Sequence, residues 1–145
     1  MAERIPIGAD HAGFDMKEVL ADELRTIGYF VEDVGTHSID SADYADFAHL
    51  VAREVGSGEV KRGVLLCGTG LGMSYAANRH HGVRAAVAWN AEIAKLSRQH
   101  NDSNILVLPA RSLDEGTARE ILRTWLATPF DGGRHQRRID KIEEE

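Results

Sequence analysis

The sequence predicts an α/β protein: a three-layer, doubly wound, mainly parallel five-stranded sheet with helices on both faces, Rossmann-like in outline. Three observations predict it. Five short β-rich runs are spread along the 145 residues, stretches with helical apolar spacing lie between them, and glycine or proline stands where several of those stretches stop. Such alternation makes βαβ units with right-handed crossovers.

The first strand is expected over Ile5 to Gly8, with Pro6 the awkward residue, because proline cannot donate to a ladder and suits a strand's start or an edge. Phe14, Met16, Leu20, Leu24 and Ile27 then follow helical spacing and stop at Gly28, which permits a left-handed C-cap. Tyr29 to Val34 reads as the second strand. Phe47, Leu50, Val51 and Val55 form the next helical stripe, ended by Gly56 and Gly58 in the same way. Gly63 to Cys67 is the third strand, and a helix opens near Leu71 and runs through Met73 towards Asn78. Arg84 to Ala88 and Ile105 to Leu108 are the last strands; the helix between them ends in Ser97-Arg98-Gln99-His100-Asn101-Asp102. A Ser112-x-x-Glu115 capping box opens the clearest helix, which carries Ala118, Ile121, Leu122, Trp125 and Leu126 on one face and ends by Pro129. From Asp131 the chain turns basic at Arg134, His135, Arg137 and Arg138 and then acidic at Glu143 to Glu145, as a solvated helix would. The whole chain, 1–145, is expected to form one domain.

Composition narrows the function. Apolar residues make up 43% and charged residues 28%, with no apolar run of membrane-span length, so no membrane partner is expected. The opening Met-Ala-Glu-Arg-Ile-Pro has no signal-peptide core and a single cysteine cannot form an internal disulfide, which together point to a reducing cytoplasm. A net charge of −6 argues against nucleic-acid binding, so an anionic ligand has to be held by local groups.

The chemistry-bearing segment is Gly63 to Ser74, where an apolar strand runs into the only cysteine, Cys67, and then into glycines at 68, 70 and 72. Cysteine at a strand end is commonly just a small core residue. Three glycines in the next five positions favour a reactive site instead: they permit positive φ and uncover the backbone, so that successive N–H groups can converge on an anion. A helix start near Leu71 would add its unsatisfied amides and favour a thiolate at Cys67. Known loops do not fit. The dinucleotide pattern G-x-G-x-x-G would need glycine at Met73 or Tyr75, a cysteine-phosphatase loop would need arginine at Met73, and no Gly-Lys-Ser/Thr occurs.

In doubly wound sheets ligands bind beyond the carboxyl ends of the strands. Asp10 and His11 after the first strand, the Cys67 turn, His100 and Asn101 after the fourth, and Arg111 after the fifth are expected to face one crevice. His11, His100 and His135 stand in connections, each either solvated or converging on Cys67, whereas His80 and His81 read as an exposed loop pair. Arg111, Arg134 and Arg138 could clamp a phosphate in two-pronged fashion or simply be solvated. No H-x₃-H, H-E-x-x-H or C-x-x-C spacing occurs, so no metal is expected.

Over nearly its full length the chain resembles the ribose-5-phosphate isomerase B type of sugar-phosphate isomerase, related to the galactose-6-phosphate isomerase subunits. The resemblance rests on Gly8-Ala9-Asp10-His11-Ala12-Gly13-Phe14, Asp43-Tyr44, Cys67 to Ser74, Ala76-Ala77-Asn78-Arg79, Ser97 to Asn104 and Gly132-Gly133-Arg134-His135-Gln136. Ala45, where many relatives carry proline, and Trp89-Asn90 are departures. The resemblance implies a metal-free, cofactor-free aldose–ketose isomerisation of ribose 5-phosphate and ribulose 5-phosphate through a cis-enediolate. In that reaction Cys67 would move the proton between C2 and C1, and backbone amides of Gly68, Gly70, Leu71 and Gly72 would hold the enediolate oxygens. Thr69 would shuttle a proton between O1 and O2, while Asp10 and His100 would open the furanose ring and Asn101 would fix the sugar. His11, Arg111, Arg134 and Arg138 would hold phosphate, with Tyr44 lining the crevice. It further implies a homodimer or dimer of dimers whose sites are completed by a neighbour's His100, Asn101 and Arg111 region, with the tail 131–145 assisting. The same parts would serve allose 6-phosphate, galactose 6-phosphate or a tetrose phosphate, and the amide cradle alone would serve a non-catalytic phospho-ligand-binding module.

Overall fold

The computed structural model describes residues 2–144; Met1 and Glu145, the two ends of the expected domain, lie outside the described residues. Five parallel strands, β1 (Arg4–Ala9), β2 (Phe30–Gly35), β3 (Gly63–Cys67), β4 (Ala85–Val87) and β5 (Ile105–Pro109), form one sheet in the order β2-β1-β3-β5-β4. β3 and β5 are buried along their whole length, and their unbroken apolar runs are what burial on both faces demands. Side-chain alternation splits the core. Val64, Leu66, Leu106 and Leu108 pack with Leu20, Leu24, Ile121 and Trp125 of α1 (Phe14–Ile27) and α5 (Glu115–Ala127), joined by Ala94 of α4 (Ala91–Asn101). Leu65, Ile105 and Val107 pack on the other face with Val51, Val55 and Met73 of α2 (Tyr44–Gly56) and α3 (Leu71–Ala77).

Pro6 sits inside β1, which is not an edge strand. The Asp10 amide donates to Leu66 O, so even-numbered residues of β1 turn towards β3, and the ladder with β3 begins only at Ile7 opposite Val64. The missing N–H of Pro6 therefore interrupts no rung.

Gly28 (φ 109°) caps α1 from the left-handed region as the sequence predicts, its amide reaching the carbonyls of Leu24 and Arg25. Two other ends differ. α2 starts at Tyr44, before its first apolar-stripe residue Phe47, and Gly56 is its last helical residue, with Ser57 at the C-cap. The Ser112 capping box does not form. Ser112 is used in a 3₁₀ turn, Ala110–Ser112, and Asp114, extended and directly before Glu115, caps α5 by accepting from the Thr117 amide at 2.7 Å. The basic tail becomes α6 (Arg134–Asp140), packed beside α4 and anchored through Ile139.

β1 pairs with β2 on one side and β3 on the other; the chain steps outward from β1 through α1 to β2 and then returns through α2 past β1 to β3, so the direction of winding reverses between β1 and β3. A doubly wound sheet opens its crevice at such a reversal, and the residues just past these two strands are Asp10 and Cys67.

Candidate active site

Beyond the carboxyl ends of β1, β3 and β5 lies a cleft of about 330 Å³ lined by Asp10, His11, Ala12, Tyr44, Cys67, Gly68, Thr69, Gly72, Tyr75 and Arg111. Cys67 is 4% exposed, sharing one side with the Met73 and Val107 core and presenting the other to the cleft. The turn after it works as the glycine spacing suggests. Gly70 adopts φ 79° at the N-cap of α3, which only a residue without Cβ takes freely. Gly68 is in close contact with Arg111: a Cβ there would stand 2.8 Å from Nη1 of that guanidinium, and the Arg111 amide donates to Gly68 O at 3.1 Å. The bare face of Gly72 carries the Tyr44 ring.

One amide of this turn is already used, because Leu71 N–H donates to Thr69 Oγ1 at 3.2 Å. The anion cradle thus loses Leu71, whereas the amides of Gly68, Thr69, Gly70 and Gly72 have no partner among the described residues. The same bond fixes the Thr69 hydroxyl oxygen and leaves its proton for a ligand.

Asp10 is 6% exposed, and its Oδ1 accepts from the amides of Ala12 at 3.0 Å and Gly13 at 3.2 Å. That turn swings α1 tightly against β3; a Cβ on Gly13 would meet Leu66 at 2.8 Å. His11 is oriented from the far side of the cleft. The Ala42 amide can only donate, so His11 Nδ1, 3.1 Å away, is the acceptor, and Nε2 carries the ring proton.

The remaining expected residues are elsewhere. His100 and Asn101 close α4, which crosses back from the carboxyl end of β4, so they stand where β3, β4 and β5 begin. Asn104 ties that corner together, its amide donating to Arg84 O at 3.0 Å and its carbonyl accepting from Gly63 at 3.0 Å. Five residues of strand, about 15 Å, separate this edge from the Cys67 turn. Arg134 and Arg138 on α6 are exposed and go with His100, whose ring stacks on His135 at 4.6 Å between centroids. The expectation that all these residues face one crevice of the same chain is therefore corrected: a helix that follows a parallel strand must end at the opposite edge of the sheet. Arg111, expected to travel with His100 and Asn101, instead lies in the Cys67 cleft of its own chain.

Loss of hydration, then His100 and Arg134, hold His135 below the usual imidazole range. His80 and His81 are not an exposed pair. His80 is partly buried with Nε2 2.6 Å from His49 Nδ1, and burial followed by His49 lowers its pKa; His81 is exposed and meets Glu143 at 2.8 Å. Sequence reasoning passed over Tyr75, which shares the exposed face of α3 with Leu71 one turn before it and could have been found from that spacing. Asn90, noted in the sequence as a departure, does not line the cleft; its Oδ1 caps α4 by accepting from Ile93 at 2.8 Å.

A family model described as Ribose/Galactose Isomerase matches residues 5–142. The chain belongs to that family. It is 43% identical over 140 residues to ribose-5-phosphate isomerase B of Escherichia coli strain K12, covering 97% of this chain and 94% of that one. Among solved structures it is similar to a ribose 5-phosphate isomerase of Thermotoga maritima, with a TM-score of 0.97, 50% identity and 100% of both chains covered. The ribose-5-phosphate isomerase B of Mycoplasma genitalium, solved with bound ribulose-5-phosphate, gives a TM-score of 0.94 at 42% identity over 98% of this chain and 95% of that chain. The five-stranded parallel sheet with helices on both faces is that of these isomerases.

Proposed function

We propose that this protein interconverts ribose 5-phosphate and ribulose 5-phosphate as an aldose–ketose isomerase working without a metal. The observation that carries the reading is the meeting, in one cleft, of a thiol, a turn whose amides lack partners among the described residues, and a histidine and an arginine able to donate to an anion. Cys67, as thiolate, takes the proton from C2 and returns it to C1. The amides of Gly68, Thr69, Gly70 and Gly72 receive the negative oxygen of the enediolate, and Thr69, its hydroxyl proton uncommitted, moves a proton between O1 and O2. Buried Asp10 acts on the ring oxygen side during furanose opening. His11 donates Nε2–H to the phosphate and Arg111 supplies charge beside it, using the remote end of the substrate to place the reacting carbons.

His100, Asn101, Arg134 and Arg138 reach such a site only from a second copy of the chain. We infer a homodimer, or a dimer of dimers, in which the amino-edge group of one protomer completes the carboxyl-edge cleft of its partner. The exposed Tyr44, Leu71, Tyr75 and Trp89 around the mouth of the cleft supply the apolar surface for that contact. Among the described residues no helix is long and apolar enough to cross a membrane.

The test is a coupled assay of the purified protein, with a chelator present, against a panel of phosphorylated pentoses, hexoses and tetroses. Turnover of ribose 5-phosphate above all others supports the proposal; turnover only on another sugar would move the substrate, and binding without turnover would leave a ligand-binding module.

A further inference from the structure

We propose that His100, Asp131 and His135 form a binding site for a divalent transition metal of the zinc type. One ring nitrogen from each histidine and a carboxylate oxygen of Asp131 all lie within 4.8 Å of one another. Zinc bound at about 2.0–2.2 Å to nitrogen and oxygen brings its donors to roughly 3–3.5 Å separation, so closing the site takes side-chain rotation and no movement of backbone. The rings now stack with 16° between their planes, and turning one of them aims both at a common point.

The backbone around the three ligands is already fixed. His100 lies in the last turn of α4; the Asp131 amide donates to Gln99 O at 3.1 Å, pinning the carboxylate beside that turn; and the His135 amide donates to Gly132 O at 3.3 Å as α6 begins. Asp131 and His135 are four residues apart, but His100 is remote in sequence, which is why no ligand motif announces the group. Three protein ligands with a fourth position open to water is a coordination that zinc commonly takes in proteins.

The surrounding charge selects the metal. Arg134 and Arg138 stand next to the site and oppose any cation held by charge alone, which disfavours magnesium and calcium. Imidazole donors bind zinc, nickel and copper through their lone pairs, and the C-terminal end of α4 adds partial negative charge beside His100. If His100, brought to the cleft by a second copy, opens the sugar ring as the family resemblance implies, a metal on its ring nitrogen inhibits the enzyme; this consequence rests on the proposed function, whereas binding does not.

The experiment is equilibrium dialysis of the chelator-stripped protein against zinc alone and against magnesium alone, for wild type, H135A, D131N and C67A, with the metal-free and zinc-loaded turnover of wild type, H135A and D131N compared. The expected result is saturable zinc binding of one ion per chain in wild type and C67A, no magnesium binding, and affinity weakened by more than about tenfold in H135A and D131N. Zinc retained by H135A but lost from C67A would put the metal on the thiol and overturn the proposal, as would the absence of saturable binding in wild type. Inhibition of wild type that a chelator reverses, and that H135A escapes relative to its own metal-free rate, supports the inhibitory role. Binding at full occupancy with turnover unchanged keeps the metal site and removes His100 from the reaction.

Discussion

Cys67 shows how much a single residue's environment decides. Its side chain closes the core on the Met73 side, yet the glycines after it strip the opposite side of cover, so one sulfur is both a packing atom and part of the cleft wall, where the proposed function makes it the base. Replacing it with alanine removes the base while leaving the cleft walls, and C67A is expected to lose exchange of the substrate C2 proton with deuterated solvent, followed by NMR, by at least about 10²–10⁴-fold. Sugar phosphate should still protect C67A against thermal unfolding. Exchange at the wild-type rate would place the base on another group. The shape of the Cys67 turn was legible in its glycine spacing, because positive φ and bare backbone are local properties. The Thr69–Leu71 bond, which takes one amide out of the cradle, was not, since it depends on the rotamer of one hydroxyl-bearing side chain.

Elements are held in place by buried polar contacts that no periodicity announces. Trp125 Nε1 donates to Ser103 Oγ at 2.8 Å, and Ser103 and Ser97 share a 2.8 Å hydroxyl contact; Ser97 gives its proton to Ala94 O, so Ser103 must be the donor between them. This chain ties α5 to the end of α4 and so sets the corner that carries His100 and Asn101. S103A orphans the Trp125 N–H and should destabilise the protein by about 1–3 kcal/mol in urea unfolding followed by tryptophan fluorescence. On the opposite face Glu54 of α2, Glu32 of β2 and Arg4 of β1 form a crowded ion cluster in which Glu54 Oε2 has no partner. Burial first, and then the shared proton and the charge of Glu32, push the Glu54 carboxyl up to about 7. The folded state then holds this proton more tightly than the unfolded chain, so its contribution to stability falls as pH rises from about 4.5 to about 7. E54Q, neutral and able to donate to Glu32, should melt above wild type at slightly alkaline pH and flatten the decline across that window. Parallel melting curves for the two proteins would assign the pH dependence to other groups.

For the molecule as a whole, the decisive feature is that the expected site residues occupy two opposite edges of one sheet. A site divided in this way predicts complementation: C67A and H100A, each inactive alone, should recover about a quarter of wild-type turnover when co-expressed. Half of randomly paired dimers are mixed, and each mixed dimer carries one undamaged site of its two. A co-expressed pair as inactive as its parents would mean that the two edges never meet. The order of strands and helices, the apolar faces, the α1 cap at Gly28 and the glycine turn after Cys67 were all written in the sequence, because each follows from residue spacing over a turn or two. Only the tertiary structure decided that His100 faces away from Cys67, that Arg111 stays with Cys67, and that His49 meets His80 while His135 meets His100. Those outcomes depend on how a crossover helix runs back across the sheet and on which distant segments pack side by side, and a spacing rule that reaches a few residues carries no record of either.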